Sequence, residues 1–237
     1  MKRKAVYIGV CFLVLGLAVV AYKSLTSAKT YSSKNPNAAY FYPLDTVPKV
    51  YLYRDMAGGL EEEFHRIYTV EDNEGPHLIV EVYASDGRLR EAINYNIDSL
   101  SVQDHMVVNR FQEKEKATLY KNTLFPMALQ TPTWFASKFS GVTDSTVFLF
   151  EIQRQFQQKK EAHFLEKEHD EALYFQDLVR LTAINPFTKK EQAKLDTRTS
   201  VFAKNIGLVA WYTADKSVHY RLEQILSQEE WIQIISR

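Results

Sequence analysis

The chain has 237 residues, 46% hydrophobic and 24% charged, an ordinary globular balance with room for one large domain or two small ones. Lys and Arg total 29, as do Asp and Glu, so the net charge gives no reason to expect nucleic acid or a strongly charged partner. The single cysteine, Cys11, lies in an apolar segment near the start, which excludes disulfides, thiolate metal sites and cysteine nucleophiles from everything after it.

Lys2, Arg3 and Lys4 precede an uncharged run from Ala5 to Tyr22, closed by Lys23. As a helix, that run is just long enough to span a hydrocarbon core, and the leading basic residues favour an amino terminus in the cytoplasm with the rest outside. Three readings stay open for residues 1–23. One is an uncleaved signal anchor, and another a signal peptide cut at Val19-Val20-Ala21 or Thr26-Ser27-Ala28. The third is a lipoprotein processed at Cys11, whose flank Ile8-Gly9-Val10 approaches a lipobox. The expected location is the bacterial inner membrane, single-pass, with the domain in the periplasm; a secreted or lipid-anchored product is the alternative.

Residues 24–39, rich in Ser, Thr, Lys and Asn, read as a polar linker, and residues 40–237 as one extracytoplasmic β domain. Strands are expected over Lys49 to Arg54, Leu60 to Val70, His77 to Ala84 and Arg88 to Ile97. Gly58-Gly59, Asn73 to Pro76 and Ser85-Asp86-Gly87 are the turns between them. Phe64, Arg66, Tyr68 and Val70 alternate with Glu63, His65, Ile67 and Thr69, which gives a strand but not its buried side. Two or more further strands fill Val102 to Lys121. Thr131 as N-cap, Pro132 and Gly141 predict a short helix carrying Trp134, Phe135 and Phe139. Thr146 to Phe156 and Ala172 to Ile184 read as long strands joined by a polar, charged hairpin region. Asn185-Pro186 turns the chain, and Ser200 to Tyr212 with Val218 to Ile225 form the last hairpin. Ser227 and Glu230 make a capping box for a terminal helix whose Trp231, Ile234 and Ile235 share a face. The segments Tyr53 to Tyr68 and Tyr83 to Tyr95 echo one another as two hairpins.

Two stretches carry resemblances. Tyr83-Ala84-Ser85-Asp86-Gly87-Arg88-Leu89-Arg90-Glu91 resembles the hairpin unit of MORN-like repeat proteins. Val201-Phe202-Ala203-Lys204-Asn205-Ile206-Gly207-Leu208-Val209 resembles a strand entry of uncharacterised extracytoplasmic β-sheet proteins of Bacteroidetes type and of LolA-like lipoprotein carriers, with Asn205 where that pattern has Gly. The second resemblance implies a concave antiparallel sheet with an apolar lining that accepts acyl chains, and it transfers no site residue.

No nucleophile elbow, phosphate loop or dinucleotide glycine fingerprint occurs. His65, His77, His105, His163, His169 and His219 lack the helical His-x-x-x-His spacing of a metal site. His163 and His169 sit among Glu161, Glu166, Glu168, Asp170 and Glu171, a pattern shared by metal clusters and, more often, by solvated charged hairpins. Glu63-x-His65 and His77-x-x-x-Glu81 are placed to face each other across a hairpin. Phe148, Phe150, Phe156, Tyr174 and Phe175 are candidates for a cavity lining or for plain core.

The sequence therefore predicts a mainly β protein: an antiparallel curved sheet or half-barrel with two short helices, plus one N-terminal transmembrane or signal helix. No catalytic, cofactor-binding or metal residues are assigned, and no cofactor is expected. The favoured function is non-enzymatic: an anchored envelope protein touching the membrane through its N-terminal helix and binding an envelope partner protein or a lipid-like, apolar ligand. An extracytoplasmic hydrolase using carboxylate or histidine residues and a structural subunit of a membrane complex are the alternatives.

Overall fold

The computed structural model describes residues 28–59, 61–109, 112–140 and 146–236. The apolar run, Cys11 and the cleavage context at Ala21 lie outside them. Among the described residues no helix is long and apolar enough to cross a membrane.

The unit from Tyr31 onward is built on one antiparallel sheet. Its strands are β1 (Lys49–Asp55), β2 (Glu62–Asp72), β3 (Gly75–Ala84), β4 (Leu89–Asn96), β5 (Val102–Val108), β6 (Lys114–Lys116) and β7 (Thr118–Asn122). They continue as β8 (Thr133–Ser140), β9 (Val147–Phe164), β10 (Lys167–Ile184), β11 (Glu191–Ala203), β12 (Gly207–Thr213) and β13 (His219–Ser227). Helix α1 (Gln228–Ile235) ends the chain. The hydrogen-bonded order is β6-β5-β4-β3-β2-β1-β13-β12-β11-β10-β9-β8-β7.

The two ends of that order, β6 and β7, are consecutive in the chain and separated by Ala117 alone. One extended segment thus pairs with β5 through Met106↔Lys116 and then with β8 through Thr118↔Lys138, while the Ala117 N–H donates to the His105 carbonyl between them. By changing partner midway, this segment brings the sheet's edges together into a nearly closed barrel, so few backbone groups are left as an open edge.

A second irregularity lies between β12 and β13, which pair only over Ala210 to Tyr212. Where that ladder stops, the Tyr51 hydroxyl donates to the Ile206 carbonyl and the Tyr53 hydroxyl to the Leu208 carbonyl, both at 2.7 Å. Tyrosine side chains from β1 satisfy carbonyls that no strand partner reaches. Burial raises the pKa of both phenols well above the ordinary tyrosine value, so they stay neutral donors.

The barrel interior is aromatic. Phe41, from the segment after a 3-10 turn at Ala38–Tyr40, packs edge-on against Tyr42 and Tyr95, tilted against Phe125 and stacked against Phe202. Each such fully buried ring contributes on the order of 1.5–3 kcal/mol of transfer free energy. The polar stretch expected as linker up to residue 39 is drawn in too. Asn35, only 3% exposed, donates to the Ser99 and Pro126 carbonyls, and Asn37 donates to the Pro126 and Met127 carbonyls. Asn35 and Asn37 thus hydrogen-bond within the fold, while most other described residues up to 39 are exposed. Gly207 permits the plug to sit so close: at φ +103° it has left-handed backbone, and a Cβ there would lie 2.8 Å from Tyr42 Cδ1 and 3.2 Å from the Phe41 carbonyl oxygen.

The outer face carries a small second core. Val50, Leu52, Phe64 and Leu226 point outward and are covered by Trp231, with Tyr83 and Ile235 at the margin. The expected capping box forms: Ser227 Oγ accepts from the Glu230 N–H, and the Glu230 carboxylate accepts from the Ser227 N–H. Of the three apolar positions expected on one face, Trp231 and Ile235 dock, while Ile234 stays 40% exposed.

Two expectations need correction. The helix predicted over Thr131 to Gly141 is strand β8, paired with β9 from Thr133↔Arg154 to Ser140↔Val147. Aromatics three and four apart suggested a helix face. Burial instead has period two, with Thr133, Phe135 and Ser137 inside and Trp134 and Lys138 outside. Pro132 stands just before a strand, where its missing N–H costs nothing. Among the described residues there is therefore one short α-helix, not two. Second, the segment Ser200 to Tyr212 is two strands, broken at Lys204-Asn205-Ile206, where Asn205 adopts φ +64°. The polar stretch between the long strands belongs to the strands themselves, which run 18 residues each to a turn with Leu165 and Glu166 both at positive φ.

Candidate functional site

Inward-pointing positions of neighbouring strands meet in rows, and one row concentrates charge. Thr133 of β8 is opposite Arg154 of β9, Arg154 is opposite Asp177 of β10, and Asp177 is opposite Arg198 of β11. Arg154 and Asp177 are 7% and 2% exposed. Arg154 Nε donates to Asp177 Oδ1 and Nη2 to Oδ2, both at 2.7 Å, a bidentate pair, while Nη1 donates to the Leu124 carbonyl at 3.0 Å. Burial works against the Arg154 charge, but Asp177 outweighs it and raises the guanidinium pKa. The Ser200 hydroxyl donates to Asp177 Oδ2 at 2.6 Å, so both carboxylate oxygens are engaged. The Arg198 guanidinium, on the other side, makes no hydrogen bond or ion pair to another described residue. Burial is the main influence on it and lowers its pKa, against the opposing pull of Asp177, Asp196 and Glu63.

Two histidine–carboxylate pairs face the same interior. His65 Nε2 donates to Glu63 Oε1 at 2.6 Å, and its Nδ1 lies 3.2 Å from the Tyr42 hydroxyl. His105 Nε2 donates to Glu91 Oε2 at 3.0 Å, and its Nδ1 lies 2.9 Å from Ser137 Oγ. A carboxylate only accepts, which fixes the proton on each Nε2.

Ser137, His105 and Glu91 form the linear order of a nucleophile, a base and an orienting carboxylate. The surroundings do not suit attack. Ser137 is fully buried in a strand paired on both sides, so its neighbouring amides are committed to ladders rather than free to hold an oxyanion. Because β4 and β5 lie near one end of the sheet order and β8 near the other, the chain Glu91–His105–Ser137 ties the barrel across its closure.

Burial works to raise the Glu91 pKa, but the His105 hydrogen bond and charge prevail, and the carboxyl is held below its ordinary value. A carboxylate depressed on folding contributes stability that is complete above its unfolded pKa, about 4.3, and is lost as pH falls through the lower folded value. Glu91→Gln should therefore flatten the drop in melting temperature between about pH 5 and pH 3 relative to the parent chain. Parallel acid-limb curves for the two proteins would show that the tie contributes nothing.

The structure separates the other pair singled out in the sequence. His65 is opposite Val82 and His77 opposite Val70, so Glu63 and His65 point inward while His77 and Glu81 point outward. Their registers differ by one, and one residue in a strand reverses the face. His77 instead sits between Gln103 Oε1 at 2.6 Å and Asp72 Oδ1 at 3.0 Å, and Glu81 pairs with Arg66 at 2.7 Å. His163 and His169 are opposite Glu168 and Ala162 on the long hairpin, and His169 stacks on Phe164 at 3.8 Å. Among the described residues no group of three or more His, Asp or Glu side chains is placed to hold a metal ion. Of the aromatic candidates, Phe150 lines the interior cavity and Phe175 is solid core. Trp134 is 41% exposed, with Lys121 over its ring. Sequence reasoning missed Arg154, Asp177 and Arg198. A charged residue at an inward position of an alternating strand was the available signal, but it emerges only once the inward side is known.

Between these groups the barrel interior holds a half-open cavity of about 370 Å³. Phe41, Ile93, Phe135, Phe150, Ile152 and Phe202 give it apolar walls, and Glu63, Glu91, Asp177, Arg154 and Arg198 reach it from the polar rows. Each of the three carboxylates already has a basic partner: His65, His105 and Arg154 respectively. The arrangement suits holding an apolar body against a wall whose charges are fixed.

No family model matches the chain, and no curated protein is detectably similar to it in sequence. Two solved structures are similar in shape. One is a "putative lipoprotein" from Parabacteroides distasonis, 11% identical, with a TM-score of 0.46 over 79% of this chain and 98% of that one. The other is a "putative exported protein with YmcC-like fold" from Bacteroides fragilis, 13% identical, with a TM-score of 0.41 over 79% of this chain and 99% of that one. At these scores the likeness assigns this chain no activity, ligand or location, so its function rests on its own geometry.

Proposed function

We propose that this chain is a non-enzymatic protein of the bacterial envelope that holds an elongated apolar molecule inside its nearly closed sheet. The cavity carries the reading: about 370 Å³, walled mainly by aromatic and aliphatic side chains, within the range of small-molecule pockets. Each square ångström of ligand surface removed from water there is worth about 25 cal/mol. The carboxylates around it are committed to basic partners, an arrangement that braces walls rather than activating water. Placement outside the cytoplasm rests on the sequence alone, on Lys2, Arg3 and Lys4 before the uncharged run to Tyr22.

The test is a titration of the full chain, held in amphipol, with the neutral fluorescent probe N-phenyl-1-naphthylamine. Saturable binding with one site per chain is expected. Ile93→Trp, which fills the cavity, should weaken it about tenfold or more, roughly 1.4 kcal/mol, at an unchanged melting temperature. Equal binding by a folded Ile93→Trp chain would place the probe elsewhere and sink the reading.

A further inference from the structure

Each carboxylate inside the barrel is hydrogen-bonded to a basic side chain, but one guanidinium is left without a carboxylate of its own. Glu63 is engaged by His65 at 2.6 Å, Glu91 by His105 at 3.0 Å, and Asp177 by Arg154 through two bonds of 2.7 Å. Ser200 takes up remaining capacity of Asp177 Oδ2 at 2.6 Å. Arg198 lies directly across the strand from Asp177, yet arrives at a carboxylate whose oxygens are already occupied. Arg198 lines the cavity and, among the described residues, has no carboxylate within ion-pairing distance and no hydrogen-bond acceptor. The nearest acidic groups, Asp177, Asp196 and Glu63, act on it through space only, and Arg154 opposes them. A guanidinium presents five donors in a planar fork suited to a carboxylate or phosphate, and those of Arg198 meet no acceptor among the described residues.

We infer that the cavity's ligand is an amphiphile with a single anionic group, carboxylate or phosphate, which Arg198 holds while the apolar body lies against Phe135, Phe150 and Ile152. This rests on the reading of the cavity as a ligand site and adds the chemical class of the ligand. It also assigns the two arginines of the row different tasks. Arg154 is spent on the fold, through Asp177 and the Leu124 carbonyl, whereas Arg198 is left for the guest. The anion would supply the acceptors that the Arg198 guanidinium lacks, with Arg198 donating and the ligand oxygens accepting.

The experiment is displacement of N-phenyl-1-naphthylamine from the full chain in amphipol at pH 7.5, with amphipol alone subtracted. Decanoate, decyl phosphate and decan-1-ol have equal chain lengths and differ in the head. The expected result is that one or both anions displace the probe at concentrations about tenfold or more below the alcohol. Arg198→Met should abolish that preference, read as the ratio of anion to alcohol displacement within each chain, and Arg198→Lys should retain part of it. Preference for decanoate alone would point to a free fatty acid, and preference for decyl phosphate to a phospholipid-type head. Equal displacement by acid, phosphate and alcohol in the parent chain would overturn the inference while leaving the apolar site standing. An anion preference that survives Arg198→Met would overturn it too. Failure of the probe itself to bind would remove the cavity reading and this inference together. Removing a half-buried unpaired charge does not threaten folding, and the melting temperature of Arg198→Met verifies that directly.

Discussion

Asp177→Ala is expected to destabilise the protein by about 3–5 kcal/mol, the usual cost of removing one partner of a buried ion pair. Asp177 lies opposite both Arg154 and Arg198 in the inward row, so the substitution strips buried Arg154 of its bidentate partner and removes one of the carboxylates acting on Arg198. It also removes the acceptor for Ser200. Replacing both members of the bidentate pair, Arg154→Met with Asp177→Leu, should recover most of the loss, since matched apolar groups of similar volume avoid the desolvation cost altogether. Denaturant unfolding of the three chains measures this. A loss below about 1 kcal/mol for Asp177→Ala would mean that water reaches the row and screens it.

Trp231→Ala should cost about 3 kcal/mol, toward the lower end of the range for deleting a buried indole. Helix α1 has eight residues, too few to be stable alone in water, so its persistence depends on docking over Val50, Leu52, Phe64 and Leu226. The indole stands edge-on to Tyr83 with ring centroids 4.8 Å apart. Its Nε1 is buried without an acceptor among the described residues. Trp231→Phe should therefore cost much less than Trp231→Ala, since it keeps ring packing and deletes an unsatisfied donor. Native-state amide exchange offers a second readout: residues 228–235 should lose protection in Trp231→Ala before the strands do. Unchanged exchange in that helix would mean that the capping box and backbone hold it without the indole.

The two substitutions probe opposite faces of the same sheet, and they explain what could be read along the chain. Hairpins were legible wherever turn chemistry is local. Gly87 takes φ +76° at the end of Ser85-Asp86-Gly87, where the sequence places the turn, and Ser227 with Glu230 caps the helix as their spacing requires. β8 was not legible. Trp134, Phe135 and Phe139 satisfy a helical spacing as well as a strand spacing, and only the long ladder with β9 decides between them. The polar strand Glu191 to Thr199 was missed for a related reason. Most of its first seven residues are solvent-exposed, and the long partner β10 supplies its backbone hydrogen bonds.

The candidate site was the least legible part, because a strand pattern announces alternation without saying which side is in. Residues 63, 65, 67 and 69 became the inner face of β2 only through pairing with Leu78, Val80, Val82 and Ala84. The proposed meeting of Glu63 and His65 with His77 and Glu81 failed on a register difference of one residue. Arg154, Asp177 and Arg198 are separated by 23 and 21 positions, so no local window holds them. Their row exists because three antiparallel strands align at one height.

By itself the sequence determined the β character, the hairpin turns, the terminal helix and its cap, and the absence of thiol chemistry after Cys11, since each depends on neighbours a few positions away. The tertiary structure alone decided the closure of the sheet through a segment that changes partner at Ala117, the drawing-in of Asn35 and Phe41 as a plug, and the matching of three interior carboxylates that leaves Arg198 unpaired. Those features depend on register between distant strands. Register is set by how the whole inner surface packs, which no single stretch of the chain encodes.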